Sequence, residues 1–185
     1  VEALRRPLED CIALATPIER ITRREGVVEV KPVGGAEVRF DRVVLATHSD
    51  QALRLLADPT AVEREVLGAI TYQSSDVVLH TDTRLLPKHR SAWSAWNYMR
   101  TQPSQRATLT YNMNILQHFS SDTTYVVTLN QTDMIAEDKI VGRFQYAHPT
   151  FTLDGIKAQD RWAEINGVNK TWFCGAYWRN GFHED

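Results

Sequence analysis

The sequence predicts an α+β fold in which a mainly antiparallel or mixed β-sheet is flanked by helices. Three observations carry this expectation. The N-terminal third is a run of short valine-rich strands broken by glycines; two helical segments follow, separated by a proline; and five strand-like stretches then succeed one another with no long helix between them.

The strands come first. Segments 18–22, 27–31, 37–40 and 43–46 are extended in pattern, rich in Val27, Val28, Val30 and Val38, and separated by Gly26 and the pair Gly34-Gly35. Glycine supplies the positive φ of tight turns and β-branched residues favour the pleated state, so this is a β-meander. Its last strand, Val43-Val44-Leu45-Ala46, is apolar without interruption, which predicts burial on both faces.

Ala52, Leu53, Leu55 and Leu56 fall in helical register within 49–57, and the helix stops at Asp58-Pro59 because proline disfavours helix in the residue before it. Thr60-Ala61-Val62-Glu63 matches a capping box, opening a second helix to about residue 70, with Val62, Val66, Leu67 and Ile70 on its packed face.

Beyond Ser75 the period shifts to two, giving strands at 76–81, 92–99, 106–113, 124–130 and 140–146. Residues 131–139 form a short helical connection and 154–164 a longer one, with Ile156 and Trp162 turned inward. An extended stretch at 169–174 leads into the aromatic, glycine-punctuated segment Gly175 to Gly181.

Composition narrows the function. With 43% hydrophobic and 24% charged residues, the 185-residue chain can bury a sizeable core, and a net charge of −2 gives no basic field for a nucleic acid. Cys11 and Cys174 lack metal-ligand or disulfide-framework spacing, six scattered histidines form no metal site, and no apolar run reaches the roughly 18 residues of a membrane span. A cytoplasmic setting is expected. The chain opens on Val1 and stops directly after an aromatic-rich stretch, so both ends are expected to be cuts in a longer protein. No hydrolase, metalloprotease or phosphate-loop pattern occurs, and Lys88, Lys139, Lys157 and Lys170 lie in loops or element ends, so no catalytic residue is assigned.

The blocks Val44-Leu45-Ala46-Thr47-His48, Ala92-Trp93-Ser94-Ala95-Trp96-Asn97-Tyr98, Thr108-Leu109-Thr110-Tyr111-Asn112-Met113-Asn114 and Trp172-Phe173-Cys174-Gly175-Ala176-Tyr177 through His183-Glu184-Asp185 carry a resemblance over nearly the whole chain. In them the sequence resembles the flavin-containing amine oxidase superfamily, and within it the bacterial NAD/FAD-binding proteins, or FAD-dependent oxidoreductases. The resemblance implies a C-terminal fragment lacking the GxGxxG turn that receives the cofactor pyrophosphate. Residues 1–48 would be a meander and crossover strand left from a Rossmann-like FAD-binding domain, 49–168 a substrate-binding domain, and 169–185 a return strand with a flavin-facing loop.

By the same resemblance Pro17 and Ile18 run past the adenine, and Ala46 and Thr47 let the backbone approach the cofactor. Gly175, Ala176, Tyr177, Phe182, His183 and Glu184 face the flavin, although a C-terminal aromatic run is equally able to be core. Where the superfamily commonly has an acidic residue after the glycine, this chain has Ala176. Trp96, Tyr98, Tyr111, Asn112 and Trp178 are candidates for a substrate pocket, with core packing as the alternative; strand alternation puts Trp96 and Tyr98 on one face and Asn97 on the other. The implied activity is flavin-mediated hydride abstraction from a small molecule by the intact protein, with FAD not retained by the fragment. A non-catalytic module that holds a small ligand on an aromatic sheet surface is the competing reading.

Overall fold

The valine-rich N-terminal segments fold as the meander that their turn glycines predict. In the computed structural model, which describes residues 2–24, 26–99 and 108–181, a short helix α1 (Glu2–Arg5) precedes β1 (Ile18–Arg24), β2 (Val27–Pro32) and β3 (Val38–Phe40). They pair antiparallel in the order β1-β2-β3. Gly26 (φ 78°) and Gly34 (φ 70°) make the left-handed turns. The buried positions of β1 are Ile21 and Arg23, so its inward face ends in a charge.

Strand β4 (Val43–Leu45) leaves the meander and pairs in parallel with the last strand of the chain, Thr171–Phe173. Burial on both faces does not hold: Leu45 is buried but Val44 is 62% exposed. The reason is topological, since this parallel sheet has only two strands among the described residues and none of them covers the Val44 side.

Helices α2 (Ser49–Leu55) and α3 (Ala61–Ala69) follow. The capping box forms as expected: Glu63 N donates to Thr60 Oγ1 at 3.1 Å and Thr60 N to Glu63 Oε2 at 2.7 Å. The packed face is rotated from the one anticipated. Val66, Leu67 and Ile70 are buried, but Val62 lies at the solvent margin, and the residue turned fully inward beside them is Glu63. Arg23 is the cause. Its Nη2 donates to Glu63 Oε2 at 2.8 Å and to Asp58 O at 2.8 Å, its Nε to Asp58 Oδ1 at 3.1 Å, and its Nη1 to the other Glu63 oxygen and to Thr171 Oγ1. Burial pushes the Glu63 carboxyl up, but the Arg23 hydrogen bond, the Thr60 amide and the Arg23 charge reverse this and hold it below its ordinary value.

The chain divides into two units, Val1–Thr71 with Pro149–Asp185, and Tyr72–His148. The second is built on β5 (Thr71–His80), β6 (Trp96–Met99), β7 (Thr108–Asn112), α4 (Met113–Leu116), β8 (Val126–Leu129) and β9 (Ile140–Thr150), in a five-stranded sheet ordered β6-β7-β8-β5-β9. The expected strand through residue 113 ends at Asn112, whose Oδ1 accepts Ile115 N at 3.3 Å and so caps α4 instead of extending the ladder. Short 3-10 turns at Thr132–Met134 and Glu137–Lys139 make the helical connection.

One face of this sheet packs Val78 against Leu85 and Ile135, and beside that small core it buries a polar chain. Asp82 N donates to His80 Nδ1 at 3.1 Å, which leaves the ring proton on Nε2, 2.8 Å from Thr128 Oγ1; Thr128 and Thr110 hydroxyls are 3.0 Å apart. The Asp82 carboxylate receives Arg84 and the Ala136 amide; the Arg84 hydrogen bond is the main cause that holds it well below the usual carboxylate range.

Back in the first unit, α5 (Leu153–Asp160) starts where Thr152 Oγ1 accepts Gly155 N at 3.0 Å, and β10 (Thr171–Phe173) closes the parallel pair. Ile156 and Trp162 are not turned inward: both are about half exposed, and the buried residues of α5 are Gly155 and Ala158. Gly155 lies beside the end of α3, where an added Cβ would sit at an ordinary contact distance of 3.6 Å from Ala69 O and at a tighter 3.1 Å from the Thr152 hydroxyl that caps α5. No helix among the described residues is long and apolar enough to cross a membrane.

Removing one partner of a buried ion pair strands the other charge, so Glu63→Ala is expected to lower the unfolding free energy by about 3–5 kcal/mol, read from urea denaturation. Acid should act in two stages. Burial pushes the His80 ring down, opposed by the Asp82 charge and amide. A lowered folded pKa means that the His80 contribution is complete above about pH 6.5 and declines as pH falls below it, while that of Glu63 declines only below about pH 4.3. Urea midpoints between neutral and acid pH should show both declines, and His80→Gln should abolish the first.

Candidate functional site

Parallel strands direct ligands to the crevice outside their carboxyl ends. β4 and β10 end together, with Phe173 opposite Leu45 and Cys174 N donating to Leu45 O at 3.1 Å. The chain then turns through Gly175 into a 3-10 turn, Ala176–Trp178. Gly175 has φ 153°, and a Cβ there would lie 2.6 Å from Tyr177 Cε1, so only glycine lets the Tyr177 ring fold back over the turn. Helix α5 fastens this turn: Gln159 Nε2 donates to Tyr177 O at 2.8 Å and to Arg179 O at 2.9 Å.

A cleft of about 230 Å³ opens beside the turn. Trp162, Phe173 and Trp178 form its aromatic walls, Gly175 and Gln159 its polar backbone side, and Cys174 and Arg179 complete the lining. Trp162 is fixed by its Nε1 donating to Phe173 O at 3.2 Å. The Tyr177 and Trp178 rings sit 5.0 Å apart at 43°.

Of the residues singled out in the sequence, Gly175 and Trp178 line this cleft and Ala176 and Tyr177 belong to its turn. Ala46 and Thr47 follow β4 directly; the Thr47 hydroxyl donates to His48 O at 3.3 Å. Ile18 starts β1 and Pro17 precedes it, and neither is in the described lining of the cleft; the Pro17 carbonyl is taken by Val33 N at 2.9 Å. Phe182, His183 and Glu184 lie outside the described residues. Gln159, Trp162, Cys174 and Arg179 were not anticipated as site residues. Gln159 sits in the last turn of α5 and Trp162 in the separate 3-10 turn that follows, so no helical periodicity in the sequence linked them.

In the second unit, Trp96 stands opposite Tyr111, and Tyr98 opposite Leu109, so these aromatics share one face of the sheet. The Trp96 and Tyr111 rings meet edge to face, 5.4 Å apart at 73°. Trp96 and Tyr98 are 50% and 65% exposed, and burial pushes the Tyr111 phenol up. Asn112 points to the opposite, buried face and is not brought together with them. No group of three or more His, Cys, Asp or Glu side chains among the described residues is placed to hold a metal ion.

No family model matches the chain, and no curated protein matches its sequence. Solved structures do share its fold. A putrescine oxidase bound to putrescine superposes with a TM-score of 0.60 at 14% identity, over 94% of this chain and 45% of that one. The cyclohexylamine oxidase from Brevibacterium oxydans IH-35A gives 0.54 at 10%, over 91% and 44%. A fatty acid isomerase from P. acnes that produces CLA gives 0.53 at 14%, over 86% and 42%. The chain thus spans under half the length of these structures, and at such identities the likeness is one of fold, which oxidases and an isomerase share.

Gly175→Ala is expected to displace the Tyr177 ring, cost about 1–3 kcal/mol of stability, and change tryptophan emission, since Trp162 and Trp178 border the cleft. Urea titration followed by fluorescence measures both effects.

Proposed function

We propose that the chain is a C-terminal part of an FAD-dependent oxidoreductase of amine-oxidase-like architecture. The observation that carries this reading is the aromatic cleft at the carboxyl ends of the β4–β10 parallel pair, in a fold shared with two amine-directed oxidases. FAD is the cofactor that the sequence resemblance implies. In this proposal 1–48 and 169–185 belong to the cofactor side and 49–168 to the substrate domain, whose five-stranded unit presents Trp96, Tyr98 and Tyr111.

The described residues fit one part of FAD. Gly175 and Ala176 are small and Tyr177 and Trp178 are flat, which suits close approach of an isoalloxazine ring. They do not form a pyrophosphate cradle: Gly34-Gly35 is a hairpin turn closed by Gly35 N donating to Pro32 O at 3.2 Å. The exposed Val44 side of a two-stranded parallel sheet supports the same conclusion, because parallel sheets ordinarily have both faces covered.

Bound flavin would accept a hydride from a saturated bond of the substrate. The chain's own residues orient and shield: Gly175 keeps the backbone close, Trp178 and Phe173 exclude water from the cleft, and Gln159 holds the turn in place through two carbonyls. No described side chain is given a proton-transfer role. The exposed Trp96–Tyr98 surface also favours a second reading, a module that binds an apolar ligand without turnover.

Expression of the whole reading frame that contains these residues should yield a yellow protein whose absorbance bleaches on reduction. A colourless product that takes up no added FAD defeats the proposal and leaves the binding module. The purified 185-residue chain should bind FAD weakly at most; stoichiometric retention would overturn its assignment as a part lacking the phosphate-binding half.

A further inference from the structure

The lining of the cleft beside β10 restricts the charge of its ligand. Among the described residues, Arg179 is the one charged residue in that lining. Arg179 is exposed and its guanidinium has no carboxylate partner among the described residues, whereas Arg161 is held by both Glu65 and Glu164. Trp178, an aromatic wall of the same cleft and 6% exposed, buries its indole Nε1–H with no acceptor among the described residues. The Gln159 amide nitrogen is already spent on two carbonyls. Among the described residues the lining therefore combines aromatic surface with a cation that has no carboxylate partner and a buried donor, and holds no carboxylate.

We propose that this cleft takes an organic carboxylate with a flat apolar body, and not an ammonium compound. The identification rests on the reading of the cleft as the ligand site of the protein. Its volume of about 230 Å³ is roughly eight times the share of one water molecule in the liquid, enough for one ring on a short arm. The ring packs among Trp162, Phe173 and Trp178, and the carboxylate meets the planar fork of Arg179, which is suited to bidentate recognition. An amine would bring a second positive charge to Arg179 and meet no anionic partner among the described lining residues. The putrescine-bound oxidase shares the fold, but this cleft has the opposite charge requirement from an amine site.

The test pairs one ring with two charges. Phenylacetate and phenethylamine are titrated into the purified 185-residue chain by isothermal calorimetry, with tryptophan emission recorded in parallel. Phenylacetate should bind at least about tenfold more tightly than phenethylamine. Arg179→Gln should weaken phenylacetate about tenfold or more with an unchanged urea midpoint, and Arg179→Lys should restore part of the loss. Equal or tighter binding of phenethylamine, indifference to Arg179→Gln, or no binding of either compound would overturn the proposal. If the whole reading frame proves colourless while the carboxylate preference stands, only the flavoenzyme reading falls; a yellow protein without that preference removes only this inference.

Discussion

The first unit is organised around the buried pair of Arg23 and Glu63. Neither charge can be left alone in the interior, so each fixes the element that carries it. Arg23 comes from β1, Glu63 from the first turn of α3, Asp58 from the loop before it, and Thr171 from β10, the far end of the sequence. One carboxylate serves two purposes: Glu63 Oε2 accepts both the Thr60 amide that starts the helix and the Arg23 guanidinium that positions it. The hydrophobic face of α3 is placed accordingly, with Val62 turned toward solvent so that Glu63 faces Arg23. The arrangement is tolerable because the guanidinium is satisfied from several directions by acids, a carbonyl and a hydroxyl.

From that pair a short mechanical path leads to the cleft. α3 is fixed by Glu63, and α5 lies beside it with Gly155 next to Ala69. α5 then holds the Ala176–Trp178 turn through Gln159, while Arg161 ties its end to Glu65 of α3. β10, whose Thr171 touches Arg23, delivers Phe173, Cys174 and Gly175 to the rim. The cleft is thus built from elements that are each fixed at a second point, which suits a site that must keep its shape without a ligand.

Local signals were legible in the sequence, and tertiary ones were not. The meander, the Asp58-Pro59 break and the Thr60/Glu63 capping box are decided by residues within four positions of each other, and they form where expected. Amphipathic periodicity misplaced Val62 because it assigns every charge to the solvent side, and a glutamate buried by an arginine forty residues away leaves no periodic trace. The same rule sent Trp162 inward as part of a helix to residue 164, whereas α5 ends at Asp160 and its buried residues are Gly155 and Ala158. Val44 reads as doubly buried from its neighbours, but burial depends on what covers the sheet. At the site, Gly175, Tyr177 and Trp178 could be found because glycine and aromatic residues crowd one loop; Gln159 and Arg179 could not, since their roles arise only when α5 meets that loop.

The second unit shows a related inversion. On β7 and β8 the buried positions include Thr108, Thr110, Asn112 and Thr128, of which Thr110 and Thr128 are joined to His80 in a hydrogen-bonded chain, while the bulky Trp96, Tyr98 and Tyr111 occupy the other face. Side-chain period two means that a slip of one residue between β7 and β8 would expose the threonines and separate Thr110 from Thr128. The hydroxyl and imidazole hydrogen bonds therefore specify register, a task that apolar packing alone performs loosely. With register held from inside, the outer face carries the exposed aromatic rings of Trp96 and Tyr98 beside Tyr111 at the fixed spacing of the ladder.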